Sequence, residues 1–209
     1  MIVQTDETDS APASFALPSR ILHWLMAPMV TVQLLIGVTM IASLSYYPLL
    51  LAIHRPLGIL ILGFAVVRLA NRLTHRLPPF LATMSPAERR IPTWSEYLLY
   101  VLLLAQPLVG WAMLSAARFP VVLVGPVHLP GIAPHDLDVY AVLRECHSVL
   151  AFLLFATFTA HVCAVLFHTL VLRDRLLDRM ALWRTKPAPP TGETRSVPGS
   201  NGDPGTALL

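Results

Sequence analysis

Residues 145–173 read ECHSVLAFLLFATFTAHVCAVLFHTLVLR, and this run decides the fold. A helix needs about 20 apolar residues to cross a bilayer, and the run exceeds that. It also carries His147, His161 and His168. The first two are fourteen positions apart. At about 100° per residue this is nearly four turns, so both imidazoles face one way, about 21 Å apart along the axis. His168 follows seven positions later, again on that face. Ionisable side chains in a membrane span are costly and usually face a bundle interior, where they serve a site. A lone buried His can instead be neutral and bonded to a carbonyl, but two in register point to a site.

Composition agrees with a membrane chain. Of 209 residues, 55% are hydrophobic and 13% charged, and the mean hydropathy is +0.63. Soluble domains rarely reach such values. The length suits one membrane domain and leaves no room for a separate soluble one. The pI near 9.2 could suggest nucleic acid. The arginines, however, sit beside apolar runs, a pattern of membrane topology, so no nucleic-acid partner is expected. Cys146 and Cys163 share the last run, too far apart on one helix to bridge. No C-x-x-C-H occurs, so covalent haem attachment is not indicated. Residues 1–19 are polar and lack a basic n-region, so no secretory signal is expected.

Four runs are long enough to span: about Ile21–Leu44, Leu49–Ala70, Tyr97–Ala116 and Arg144–Leu172. Ser45 to Pro48 form a short connection, so the first two spans run antiparallel. Pro28 lies near the start of the first span, and Pro107 is expected to bend the third. Gly58 and Gly63 lie in the second span, where glycine lets a backbone or a flat ligand approach closely. Asn71 to Thr93 reads as a loop. Arg118 to Tyr140 is apolar but too broken by proline to span, and it is expected to fold on the membrane surface. The domain expectation is an N-terminal arm over 1–19, a four-span domain over 20–182 and a disordered tail over 183–209. No internal repeat is evident.

Twelve of the fifteen Lys and Arg residues fall on the side of the N-terminal arm, the second connection and the C-terminus. Only Arg55, Arg118 and Arg144 fall on the other. The positive-inside rule then predicts cytoplasmic termini. Antiparallel depth pairs the histidines. His54 and His147 share an outer level, His23 and His161 an inner one. Two imidazoles on opposite faces of a porphyrin make a six-coordinate bis-His haem, so the levels suit two stacked b haems. Zinc would want three or four ligands converging on one point, and these pair two by two. Met26, Met29, Met40 and Met113 could serve copper, but scattered Met is usual apolar filling. His75, His128 and His135 fall in loops. Arg68, fourteen positions after His54, reaches the inner level. There it can pair with propionates or snorkel to the interface. His168 reads as a proton donor near the inner level or as an interfacial residue.

SRILHWLM, LLAIHRPLGILILGFAVVRLANR, YLLYVLLLAQPLVGWAM and HSVLAFLLFATFTAHVCAVLFHTLVLRDRLLDRM together resemble the four spans of the prokaryotic cytochrome b561 family. The resemblance covers about Ser19 to Met180. It implies an all-α, four-helix integral membrane cytochrome b with two haems in its core. It carries axial ligation to His23, His54, His147 and His161, and a bacterial inner-membrane location. Some members are similar to a superoxide oxidase that passes electrons from superoxide to ubiquinone; others carry electrons for partner dehydrogenases or reductases. Family members often have a His at the start of the third span, where this chain has Glu96.

The expected function is therefore electron transfer across the membrane, with superoxide oxidised and ubiquinone reduced. Bis-His ligation leaves no open iron position and favours outer-sphere transfer. Arg118 and Arg144, with Arg55, could draw superoxide to the outer haem by local positive potential. His168 could supply a proton to quinone at the inner end. The alternatives are a carrier subunit for a redox protein partner, and a non-redox scaffold or transporter whose histidines bind metal or protons.

Overall fold

In lipid the backbone must satisfy its own hydrogen bonds, so long apolar runs become helices. The structure, a computed structural model, describes residues 15–75, 86–119, 121–122, 128–173, 177 and 180–182. Four helices dominate it: α1 Leu17–Ala42, α2 Tyr47–Thr74, α3 Pro86–Ala116 and α4 Leu137–Phe167. Helix α4 continues into a π-helical turn, His168–Leu172. All four are long and apolar enough to cross a membrane.

The helices run beyond the apolar stretches that announce them, because polar residues cap and extend them. Asp136 caps α4, accepting from the backbone of Asp138 and Val139 through its side chain. This starts the helix seven positions before Arg144, so His147 lies in its third turn. Pro18 and Pro48 sit in the first turns of α1 and α2, where the missing N–H costs nothing. Pro48 thus belongs to the helix rather than the connection, and the last residues of the expected arm, from Leu17, are helical. Helices α2 and α3 take residues from both ends of the supposed loop at 71–93. The expected tail and residues 1–14 lie outside the described residues.

Side-chain pairs set the register. Gln33 of α1 meets His54 of α2, while His23 meets Arg68. Arg72 of α2 meets Glu96 of α3, while Arg68 meets Tyr100. Gln106 of α3 meets His147 of α4. Each match moves forward on one helix and backward on the next, so the bundle runs up, down, up, down. One end carries the described ends nearest the termini (the terminal end). The other carries the α1–α2 turn and the α3–α4 connection (the loop end).

The connection is not a loose surface segment. Two-residue strands, β1 Val121–Val122 and β2 His128–Leu129, pair antiparallel. Beyond them, three bonds hold it to the end of α3: Trp111 Nε1 to Pro130 O, Ile132 N to Ser115 Oγ, and His135 Nδ1 to Ser115 O.

Little of the bundle is buried. Only 6% of the most apolar window of the α4 span is, while Ile41, Phe152 and Leu170 are 77%, 67% and 67% exposed. An apolar exterior of this extent is stable only against lipid. The protein is a four-helix membrane protein.

Candidate haem-binding core

The first level lies toward the loop end. His54 and His147 bring their rings to a centroid distance of 6.3 Å, with planes 77° apart. They come from α2 and α4, which are not successive in the packing order. Each is held by the helix preceding it in the chain. Gln33 Nε2 donates to His54 O at 3.0 Å, and Gln106 Nε2 donates to His147 O at 3.0 Å. Four positions beyond each glutamine is a glycine facing the same ring. A Cβ on Gly37 would lie 4.0 Å from His54 Cε1, and one on Gly110 only 3.0 Å from His147 Cε1.

So QLLIG at 33–37 and QPLVG at 106–110 do the same work in the two hairpins. This corrects the expectation of no internal repeat. The repeat is three residues in five, too short to stand out without the partner histidines. Gln33 and Gln106 were also not read as site residues. Their signal was present, since each is the one amide side chain in its span. Gly58, where a close approach of a backbone or flat ligand is expected, faces Gln33: a Cβ there would lie 3.2 Å from Gln33 Nε2.

Polar groups at this level are left without protein partners. Among the described residues, six buried side-chain N or O atoms lack a hydrogen bond. Five belong to Gln33, His54, Arg55, Gln106 and His147. Buried polar atoms normally find partners, so this cluster fits residues built around a bound group. The ring spacing fits as well. A first-row metal–imidazole bond is about 2 Å, so imidazoles on opposite sides of one ion have centroids about 6 Å apart. His54 and His147 can hold the two faces of one haem.

The second level lies toward the terminal end and is built differently. Arg68 Nη1 donates to His23 Nδ1 at 2.9 Å. Its Nε donates to Tyr100 Oη at 3.2 Å, and the guanidinium lies over the Tyr100 ring. Arg68 is within electrostatic reach of both His23 and His161, and those two are within reach of each other. Trp24 packs edge-on to His23, with centroids 5.8 Å apart. One turn further out, Arg72 grips Glu96 with two bonds of 2.6 and 3.2 Å. Trp24 and Tyr100 at this level were not anticipated. Each reads in sequence as an ordinary interfacial aromatic.

The remaining expected site residues lie near the ends. Arg118 follows α3 with φ 60°. Phe119 N donates to Leu114 O and Arg118 N to Ser115 O, the bond pattern of a Schellman ending with Arg where glycine is usual. With Trp111, Ser115, Phe119 and His135, Arg118 lines a cleft of about 530 Å³. Trp111 follows Gly110, so the cleft lies at the loop end of the helix that faces His147. Arg144 is exposed, one turn before His147 on α4. His168 opens the π-helical turn and packs edge-on to Phe167 at 6.2 Å. His75 caps α2. No cluster of three or more His, Cys, Asp or Glu suited to a metal ion occurs among the described residues.

Residues 14–183 match the family model described as prokaryotic cytochrome b561. A relative from Yersinia pestis, named "Probable superoxide oxidase CybB", is 28% identical over 160 residues, covering 76% of this chain and 90% of that protein. Four membrane-crossing helices, histidines gathered at two depths and a family match over most of the chain lead to one assignment: the protein belongs to the prokaryotic cytochrome b561 family, membrane cytochromes that bind haem b and serve electron transport.

Proposed function

We propose that the chain holds two b haems and carries electrons across the inner membrane from superoxide to ubiquinone. The observation that carries this reading is the grouping of histidines at two depths, His54 with His147 and His23 near His161. His54 and His147 would hold one haem, His23 and His161 the other. When bound, haem supplies a reversible one-electron iron couple at each level.

A ligating imidazole donates its second ring N–H to an acceptor. Arg68 only donates, so His23 Nδ1 here is an acceptor. Were His23 to hold haem through Nε2, its proton would sit on Nδ1 and the Arg68 guanidinium would lose that acceptor. Arg68 would then be available to pair with a carboxylate such as a haem propionate. His54 and His147 need no such exchange at Nδ1, since neither makes a protein bond there.

The two ends have different chemical needs. Superoxide gives up one electron and leaves as dioxygen, with no proton required. Ubiquinone takes two electrons and two protons. Superoxide would arrive at the loop end, where the Arg118 cleft adjoins the His147 level and Arg144 stands one turn away. Quinone would be served at the terminal end, with His168 as proton donor. The Yersinia relative's name supports superoxide as donor. Positive-inside asymmetry turns the loop end outward and places both termini in the cytoplasm.

Arg118→Gly is the informative variant, because it removes the charge while easing the backbone. Stopped-flow mixing with superoxide should show rapid haem reduction that falls with ionic strength, as screening limits exposed charge to about 8 Å at physiological salt. Arg118→Gly should slow it, with unchanged haem spectra and equal or greater stability. A quinone analogue should speed reoxidation in the parent and less so in His168→Ala. Slow reduction by superoxide with no quinone dependence would reject this reading and favour a carrier subunit.

A further inference from the structure

The segment Met180–Leu182 is docked on the terminal end of the bundle. Ala181 has no exposed surface. Two side chains of α1 grip consecutive carbonyls of the segment: Arg20 donates to Ala181 O, and Trp24 Nε1 donates to Met180 O at 2.8 Å. Arg20 and Trp24 are four positions apart, hence on one helix face, which suits them to two successive carbonyls. Met180 N donates to Leu177 O, so the segment enters as a turn.

We propose that Met180–Leu182 is a strap that, through Trp24, fixes the ring plane of His23. The inference rests on His23 being a haem ligand. An indole has a single donor, and here it is committed to the strap. That bond restrains the rotation of the Trp24 ring, whose edge contact with His23 has the two planes 77° apart. Arg68 also contacts the His23 ring, and ligation through Nε2 would displace it. The Trp24 edge contact would remain to restrain the plane. The strap therefore acts on the terminal-end haem, and the loop-end haem has no counterpart among the described residues. Trp24 is a positioning residue, because it acts through His23.

In a bis-His ferric haem the angle between the two imidazole planes sets the electron paramagnetic resonance signature, so the role has a spectroscopic readout. The experiment uses the purified, haem-loaded full chain, with His23→Ala identifying which low-spin signal belongs to the His23 level. Trp24→Phe keeps a ring but removes the donor. A stop codon at position 180 removes the strap and keeps the indole. Each should shift the largest g value of the His23 signal in the same direction, retain both haems and leave the other signal in place. The double variant should show no shift beyond the larger single one, since strap and indole act in series.

Signals that stay fixed in both variants, that move together at both levels, or that shift additively in the double variant would overturn the proposal. If the truncated chain fails to accumulate, Trp24→Phe alone decides by the first two criteria. A parent protein with one haem per chain would refute the two-haem reading itself, before any variant is compared.

Discussion

The two levels gather histidines by different means. Toward the loop end the arrangement is duplicated. One glutamine and one glycine, four positions apart, flank a histidine in each hairpin. Toward the terminal end nothing is repeated. His23 is met by an arginine and a tryptophan, and the surrounding bonds join Arg68, Tyr100, Arg72 and Glu96. At one level neutral amides hold the backbone carbonyls, and Gln106 Nε2 also meets His147 Nε2 at 3.2 Å; at the other a cation meets the ring. A duplicated amide frame suits a group held between the hairpins. A charged, single-use frame suits an end where protons and a second reactant must be handled.

The largest expected effects come from the histidines themselves. His54→Ala and His147→Ala should remove the same component from a potentiometric titration, and His23→Ala and His161→Ala the other. If His23→Ala and His54→Ala abolish one and the same component, the levels are wrongly drawn. The next effect tests the duplication. A side chain at Gly110 would press on the His147 ring at 3.0 Å, whereas one at Gly37 meets His54 at ordinary contact distance, 4.0 Å. Gly110→Ala should therefore lower loop-end haem occupancy, with overpacking of about 1–3 kcal/mol, and Gly37→Ala should leave it near the parent level. Equal effects at both glycines would break the asymmetry. The smallest effect is expected at Glu96→Gln. The Arg72–Glu96 pair is partly exposed, 22% and 35%, and such pairs contribute about 0–1 kcal/mol. Thermal unfolding should fall slightly with both haem spectra intact. Loss of the terminal-end signal would give Glu96 a larger part than a peripheral bond.

Much of this was legible in the sequence. Apolar run length announces four spans, and the fourteen-residue gap from His147 to His161 puts both rings on one helix face. The same gap from His54 predicts Arg68 at the second level, where it meets His23. Helix ends were less legible, because hydropathy marks where lipid begins rather than where hydrogen bonding stops. Asp136 extends α4 through a cap that no apolar pattern reports. The glutamines escaped notice because each acts on the next helix, so their meaning depends on register. The strap contact was hidden for a similar reason: Trp24 and Met180 are 156 positions apart, and nothing local links them.

The most direct test of the central claim is the number of haems bound per chain. Pyridine haemochrome absorbance, set against protein concentration from amino-acid analysis, should give a ratio near two, all of it b-type and extractable with acidified acetone. A ratio near one, or no haem, would contradict the two-level account.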